Sequence, residues 1–178
     1  MPKTLYIDRS TGESRNGDWI ERLDLADVGR IVVGTGPGSF AGIRSALAFA
    51  QGFALGRPGV EVKGLPSACA LARSGERLAV VGDARQGKAW IAPFEGLRQL
   101  GEIRQVDQSA LAGEVPDGFV VVSPDDRRIG AVLRGVFAAR YLGERLPNAE
   151  GLKAFAEACP SALTDEPLPI YLNPAVRS

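Results

Sequence analysis

The sequence has 178 residues, 45% hydrophobic and 24% charged, a composition typical of a globular protein with one large or two small cores. Its 21 Lys and Arg residues balance its 21 Asp and Glu residues, which argues against a protein that grips a nucleic-acid backbone alone. The complete absence of histidine excludes Ser–His and Cys–His nucleophiles and histidine-based metal sites.

Strands and helices are predicted to alternate along the first half of the chain. Runs of β-branched and aromatic residues indicate strands, and a long apolar stretch between glycines indicates a helix. Asn16-Gly17 is a strong turn signal for a hairpin after the first strand. The predicted strands span residues 4–8, 31–33 and 60–62, and the predicted helices span residues 43–55 and 66–73.

The second half continues the alternation and ends in a proline-punctuated tail over residues 163–176. The whole pattern predicts an α/β fold with a mixed sheet. We place a boundary after residue 65, so that residues 1–65 form an N-terminal lobe and residues 66–178 a C-terminal lobe. The predicted strands here span residues 78–81, 88–94 and 119–122, and the predicted helices span residues 128–141 and 151–159.

Cysteine usage and hydropathy predict the compartment. Cys69 and Cys159 are far apart in sequence and form no CxxC pair, and a structural zinc site needs four ligands. Two such cysteines suit a reducing cytoplasm. The N-terminus turns polar by Asp8, unlike a signal peptide, and no apolar run is long enough to cross a bilayer. We therefore expect a cytoplasmic protein without membrane contact.

The glycine-rich segment at residues 34–42 lies between a predicted buried strand and a predicted helix. Glycines let a ligand or another backbone approach closely, and the first N–H groups of a helix attract anions. The segment lacks the lysine of a Walker A loop, and Gly36, Gly38 and Gly42 are spaced GxGxxxG instead of the GxGxxG of a dinucleotide site. A phosphate-binding loop and a tight strand-to-helix turn both stay open.

The string GTGPGSFAGIR at residues 34–44 resembles the signature of the TsaB (YeaZ) family, whose older label is glycoprotease or peptidase M22-like. Ala41 stands where that family usually has a hydroxyl residue. Further resemblances follow in the same order along the chain. They are AFAQGFA at residues 48–54, GLPS at 64–67, DAR at 83–85 with Trp90, and the tail EPLPIYL at 166–172.

The resemblance implies an actin-like, ribonuclease H-like fold of two small lobes with mixed sheets. In enzymatic relatives an aspartate at the end of the first strand helps hold metal and phosphates, and Asp8 occupies that point. A carboxylate that caps the following turn is the simpler explanation of Asp8. The residues proposed for a nucleotide or phosphate loop are Asp8, Gly36, Gly38 and Ser39.

The resemblance further implies a non-catalytic subunit that pairs with TsaD, the catalytic subunit that transfers a threonylcarbamoyl group to adenosine 37 of tRNA. A TsaE-like ATPase would join the complex, ATP or ADP would enter only there, and tRNA contact would be indirect. We expect no catalytic residue, no metal and no intrinsic cofactor. Without histidine or a cysteine cluster, protease activity has no chemical support.

The helix after the glycine segment is the predicted partner interface. Small residues recur along one side at Ala41, Ser45, Ala48, Gly52 and Gly56, which would allow a second helix to approach closely. A helix that is apolar nearly all round suggests two buried faces. The predicted interface residues are Ser39, Phe40, Ile43, Arg44, Leu47, Ala48, Gln51 and Gly52.

The chain departs from the TsaB pattern before the glycine segment. Family members usually have a longer region there, with a helix that packs beside the glycine-loop helix. Residues 23–29 are too few for a normal three-turn helix, so the first lobe is reduced. Two alternatives to TsaD pairing stay open. They are a nucleotide-binding enzyme that uses the glycine loop, and a diverged paralogue without TsaD contact; a homodimer is expected when the chain is alone.

Overall fold

The computed structural model describes residues 2–11, 20–21 and 23–172. The chain divides into two units, the first made of Met1–Ala70 with Pro147–Ile170, and the second made of Leu71–Leu146 with the residues from Tyr171 onward. This differs from the predicted division after residue 65. The last helix and the tail return to the first unit. The first unit is therefore made of two separate segments of the sequence, whereas the prediction divided the chain into two consecutive segments.

Three parallel strands form the sheet of the first unit: β1 (Lys3–Ile7), β2 (Val28–Gly34) and β3 (Glu61–Leu65), in the order β1-β2-β3. Each corresponds to a strand predicted from the sequence. The central strand β2 has Ile31, Val32 and Val33 at 0–1% exposure, as a strand covered on both faces requires. This sheet fixes where the glycine-rich segment begins.

Helix α1 (Phe40–Leu55) follows the glycine-rich segment. It begins one turn earlier than predicted because the Ser39 hydroxyl accepts a hydrogen bond from Gly42 N at 3.3 Å and caps the first turn. One side of α1 packs on the sheet of the first unit, with β1 and β2 supplying the facing side chains. The buried residues of α1 are Gly42, Ile43, Ala46, Leu47 and Ala50.

Residues 23–27, the described residues directly before β2, form no helix. The predicted hairpin turn at Asn16-Gly17 lies outside the described residues. Helix α4 (Ala149–Ala158) packs against β1, and the Ala70 backbone occupies the space beside Gly151. These contacts explain why α4 belongs to the first unit.

The second unit contains strands β4 (Arg77–Arg85), β5 (Lys88–Glu95), β6 (Arg98–Gln99), β7 (Arg104–Asp107), β8 (Val120–Ser123) and β9 (Tyr141–Glu144), and the short helix α2 (Leu111–Glu114). The strands form a mixed sheet in the order β6-β5-β4-β8-β9, with β7 paired to β5. Helix α3 (Asp126–Phe137) packs against β4, β8 and β9, and ends before residue 141, where a strand begins instead of the predicted helix end.

The second predicted helix of the N-terminal half is short. Instead of a helix to about residue 73, the chain forms a 3₁₀ turn at Ser67–Leu71. The α/β class predicted from the sequence is confirmed by both units. Among the helices that the structure describes, none has the length and hydropathy needed to cross a bilayer.

Candidate functional site: the glycine-rich segment and helix α1

The backbone that leaves β1 lies directly against the glycine-rich segment. A Cβ at position 38 would collide with the carbonyl of Ser10, and a Cβ at position 42 would collide with the carbonyl of Arg9. Ser39 N donates a hydrogen bond to Ser10 O at 2.5 Å. Because the glycines at positions 38 and 42 have no side chain, the backbone of residues 9 and 10 can pack directly against them.

Protein oxygens also take up other N–H groups of this segment. Gly36 N donates to the Ser67 hydroxyl at 2.9 Å, and Thr35 N donates to Leu65 O at 2.9 Å. The four residues proposed for a phosphate loop therefore lie close together, but two of their N–H groups, those of Gly36 and Ser39, already have acceptors. This geometry favours the tight turn over an open anion site.

Asp8 occupies the end of β1 beneath this turn. Its Oδ1 accepts hydrogen bonds from Ser10 N at 2.9 Å and from the Ser10 hydroxyl at 2.6 Å, which is the turn-capping role considered from the sequence. Its Oδ2 is buried beside Gly34 and the Ser67 hydroxyl. The Asp8 Oδ2 accepts no hydrogen bond from the residues that the structure describes. Burial raises the pKa of the Asp8 carboxyl, and the polar groups of the two serines oppose that rise.

We expect Asp8→Asn to stabilise the protein at neutral pH. Because the folded-state pKa is raised, the ionised carboxylate costs free energy above that pKa, and the cost disappears as the pH falls below the ordinary value of about 4. The introduced amide keeps an oxygen for Ser10 and places a donor near Ser67. Urea unfolding should show a gain of about 1 kcal/mol at pH 7.

The gain in the free energy of unfolding from Asp8→Asn should shrink steadily as the pH falls from neutral to 3.5, because the Asp8 carboxylate of the wild type becomes protonated over this range. Asp117 supplies the matched control, because its side chain is fully exposed. Asp117→Asn should change the free energy of unfolding at pH 7 by less than about 0.5 kcal/mol. A loss of stability in Asp8→Asn at pH 7 would show that the buried carboxylate stabilises the fold.

One side of α1 is open to solvent. Its residues recur every three or four positions, and most of them are small or apolar. At its ends lie two large apolar side chains, Phe40 at 55% and Leu55 at 87% exposure. We call this surface the α1 face, and it consists of Phe40, Ala41, Arg44, Ser45, Ala48, Gln51, Gly52 and Leu55.

The α1 face only partly matches the interface expected from the sequence. Of the expected residues, Phe40, Arg44, Ala48, Gln51 and Gly52 are exposed, and Ser39 is half-buried. Two expected residues are corrected, because Ile43 and Leu47 point into the core of the first unit at 3% and 5% exposure. With 3.6 residues per turn, these two side chains leave α1 on a different side from the small residues, and on that side they pack against the sheet.

Reactive groups are sparse in the part of the chain that the structure describes. It contains no group of three or more His, Cys, Asp or Glu side chains that could hold a metal ion. Burial raises the pKa of the Cys69 thiol, the opposite of what a reactive thiolate needs.

In the second unit, Asp125 Oδ2 accepts a hydrogen bond from Asp83 N at 3.3 Å, and burial raises the pKa of Asp125. Sequence reasoning missed this pair because the two residues are far apart along the chain.

A family model described as "TsaD: tRNA N6-adenosine threonylcarbamoyltransferase" matches residues 21–115, which include the glycine-rich segment, α1 and the β4–β5 pair. The chain belongs to this family. The match covers more than half of the sequence. No curated protein gave a significant match to the chain.

Solved structures give the same assignment of the fold. An "uncharacterized protein with similarity to peptidase YEAZ from Pseudomonas aeruginosa" is 19% identical, with a TM-score of 0.74 over 97% of this chain and 100% of that one. YeaZ from Pseudomonas aeruginosa is 20% identical, with a TM-score of 0.72 over 94% of this chain and 99% of that one. The predicted actin-like, ribonuclease H-like fold and the resemblance to YeaZ are confirmed.

Proposed function

We propose that this chain is a non-catalytic subunit that binds a TsaD-like threonylcarbamoyltransferase through the α1 face and supports threonylcarbamoyl transfer to tRNA. The observation that carries the proposal is the α1 face itself. It is a mostly small and apolar helix surface, with Leu55 at 87% exposure. Exposed apolar side chains gathered on one helix surface often mark a site of protein interaction.

The small residues suit a helical partner. Ala41, Ala48 and Gly52 leave the helix backbone accessible, and no atom lies within 4 Å of the point where a Cβ of residue 52 would stand. A second helix can therefore approach closely and bury Leu55 and Phe40 at the two ends. ATP or ADP, a TsaE-like ATPase and tRNA would join this complex through the catalytic subunit.

A nucleotide-binding enzyme is the second candidate, and the loop geometry weighs against it. Its N–H donors at Gly36 and Ser39 are bonded to Ser67 and Ser10. A nucleotide phosphate would have to displace the Arg9–Ser10 backbone from the two glycines it covers. Micromolar binding of ATP, ADP or NAD by the isolated chain would support this candidate over the first.

Reconstitution tests the proposed function. The chain, a TsaD-like subunit from the same organism, or both are incubated with tRNA and threonylcarbamoyl adenylate, and modified adenosine is measured. We expect no product from this chain alone and a rate roughly tenfold or more above that of the catalytic subunit alone when both are present. An unchanged rate, or product from this chain alone, would reject the proposal.

A further inference from the structure

Arg44 is the one charged residue of α1. Ala41, Ala48 and Leu55 define the midline of the α1 face, and Arg44 lies about 40° from that line at about 100° per residue. Its guanidinium lies over the Phe40 ring, at the N-terminal end of the α1 face. A partner that covers this surface must also cover or contact Arg44.

The Arg44 side chain is held in place but makes no ion pair with any carboxylate that the structure describes. Its guanidinium stacks over the Phe40 ring at 4.9 Å from the ring centroid. Arg57 makes the same kind of contact with Phe53, at 4.4 Å, and in addition donates to Leu25 O at 3.0 Å. Stacking orients a guanidinium and leaves the N–H groups at its edge for an acceptor.

A guanidinium that loses water without gaining an acceptor is strongly unfavourable in an interface. The surface that covers α1 must therefore supply one, and a carboxylate matches the guanidinium fork best. A second copy of this chain cannot supply it from α1, because its α1 offers only another Arg44. Two copies that meet through this helix would place two cations in one interface with no anion from either helix.

We propose that the partner surface facing α1 carries an Asp or Glu that pairs with Arg44, and that Arg44 thereby selects a different protein over a second copy of this chain. The proposal rests on the proposed function, because it describes the partner of the same face. It identifies that partner by its chemistry: a helix that tolerates close approach and has a carboxylate near the N-terminal half of α1. Charge pairs of this kind determine specificity and association rate.

The test measures the affinity of this chain for the purified TsaD-like subunit at low and high salt. Arg44→Gln removes the charge and Arg44→Glu reverses it. We expect affinity to fall about tenfold in the first variant and about 100-fold in the second. Added salt should weaken the wild-type complex more than the Arg44→Gln complex.

Arg127→Glu is the matched control, since Arg127 is exposed on α3 in the second unit and the change in net charge is the same as in Arg44→Glu. It should leave the affinity within about twofold of wild type. Thermal unfolding of each variant checks that α1 is intact, and Arg44→Gln stays informative if Arg44→Glu fails to fold.

Two outcomes overturn the inference separately from the proposed function. If the wild type binds and both Arg44 variants bind equally well, the partner has no carboxylate at this point, while the proposed function stands. If the wild-type chain alone forms a stable homodimer that Ala48→Trp disrupts, two copies meet through α1 despite Arg44, and Arg44 does not select against self-association. If the wild type forms no complex with the catalytic subunit, the proposed function fails and the inference with it.

Discussion

Gly42→Ala is expected to destabilise the protein by about 2–3 kcal/mol, although alanine is the better helix former. Gly42 lies in the first turn of α1, and an added methyl there would collide with the Arg9 carbonyl oxygen. The methyl carbon would also stand 3.1 Å from the Arg9 carbonyl carbon and 3.3 Å from the Ser39 hydroxyl oxygen. Either Arg9 or α1 must move, and movement would also break the bond from Ser39 N to Ser10 O.

Gly52→Ala in the same helix is the control, because its added methyl would meet no atom within 4 Å. Helix propensity alone then decides, and we expect a gain of about 0.5–1 kcal/mol. Urea unfolding of both variants measures the difference in sign. Stabilisation by both substitutions would mean that the segment leaving β1 does not occupy the space beside Gly42.

The sequence predicted the first unit well where the pattern was strong. The apolar run at residues 31–33 identified the central strand, and the apolar stretch after Gly42 identified α1. The capping role of Ser39 could also have been read from the sequence, since serine is a common residue before the first helical turn. The predicted start of α1 is one turn late because Gly42, a poor helix former, lies within its first turn.

Other elements could not be predicted because their signals are weak or depend on tertiary contacts. Strands β6, β7 and β9 have two to four residues each, too short for a period of two to show. The return of residues 147–170 to the first unit depends on contacts such as the pairing of Thr164 with Gly64, which are 100 residues apart. Buried Asp8 was placed correctly, but its burial beside Ser67 was not foreseeable.

Helix α1 shows how much of a surface the spacing of residues can predict. The small residues at three- and four-residue spacing lie on the exposed side of α1, and their role in partner binding stays a prediction. The expected set nevertheless mixed two sides, because a helix that is apolar all round gives little information on its phase. The structure separates them: Ile43 and Leu47 face the core, while Ala48 and Gly52 face solvent.

The most direct test of this account is the affinity of Ala48→Trp for the TsaD-like subunit, measured by calorimetry with Ala131→Trp as control. Both alanines are exposed on helices, Ala48 at the centre of the α1 face and Ala131 on α3. We predict at least a roughly 100-fold loss of affinity for Ala48→Trp, since the indole blocks close approach of a partner helix, and no change for Ala131→Trp. Equal, wild-type affinity in both variants would contradict the claim that α1 forms the partner interface.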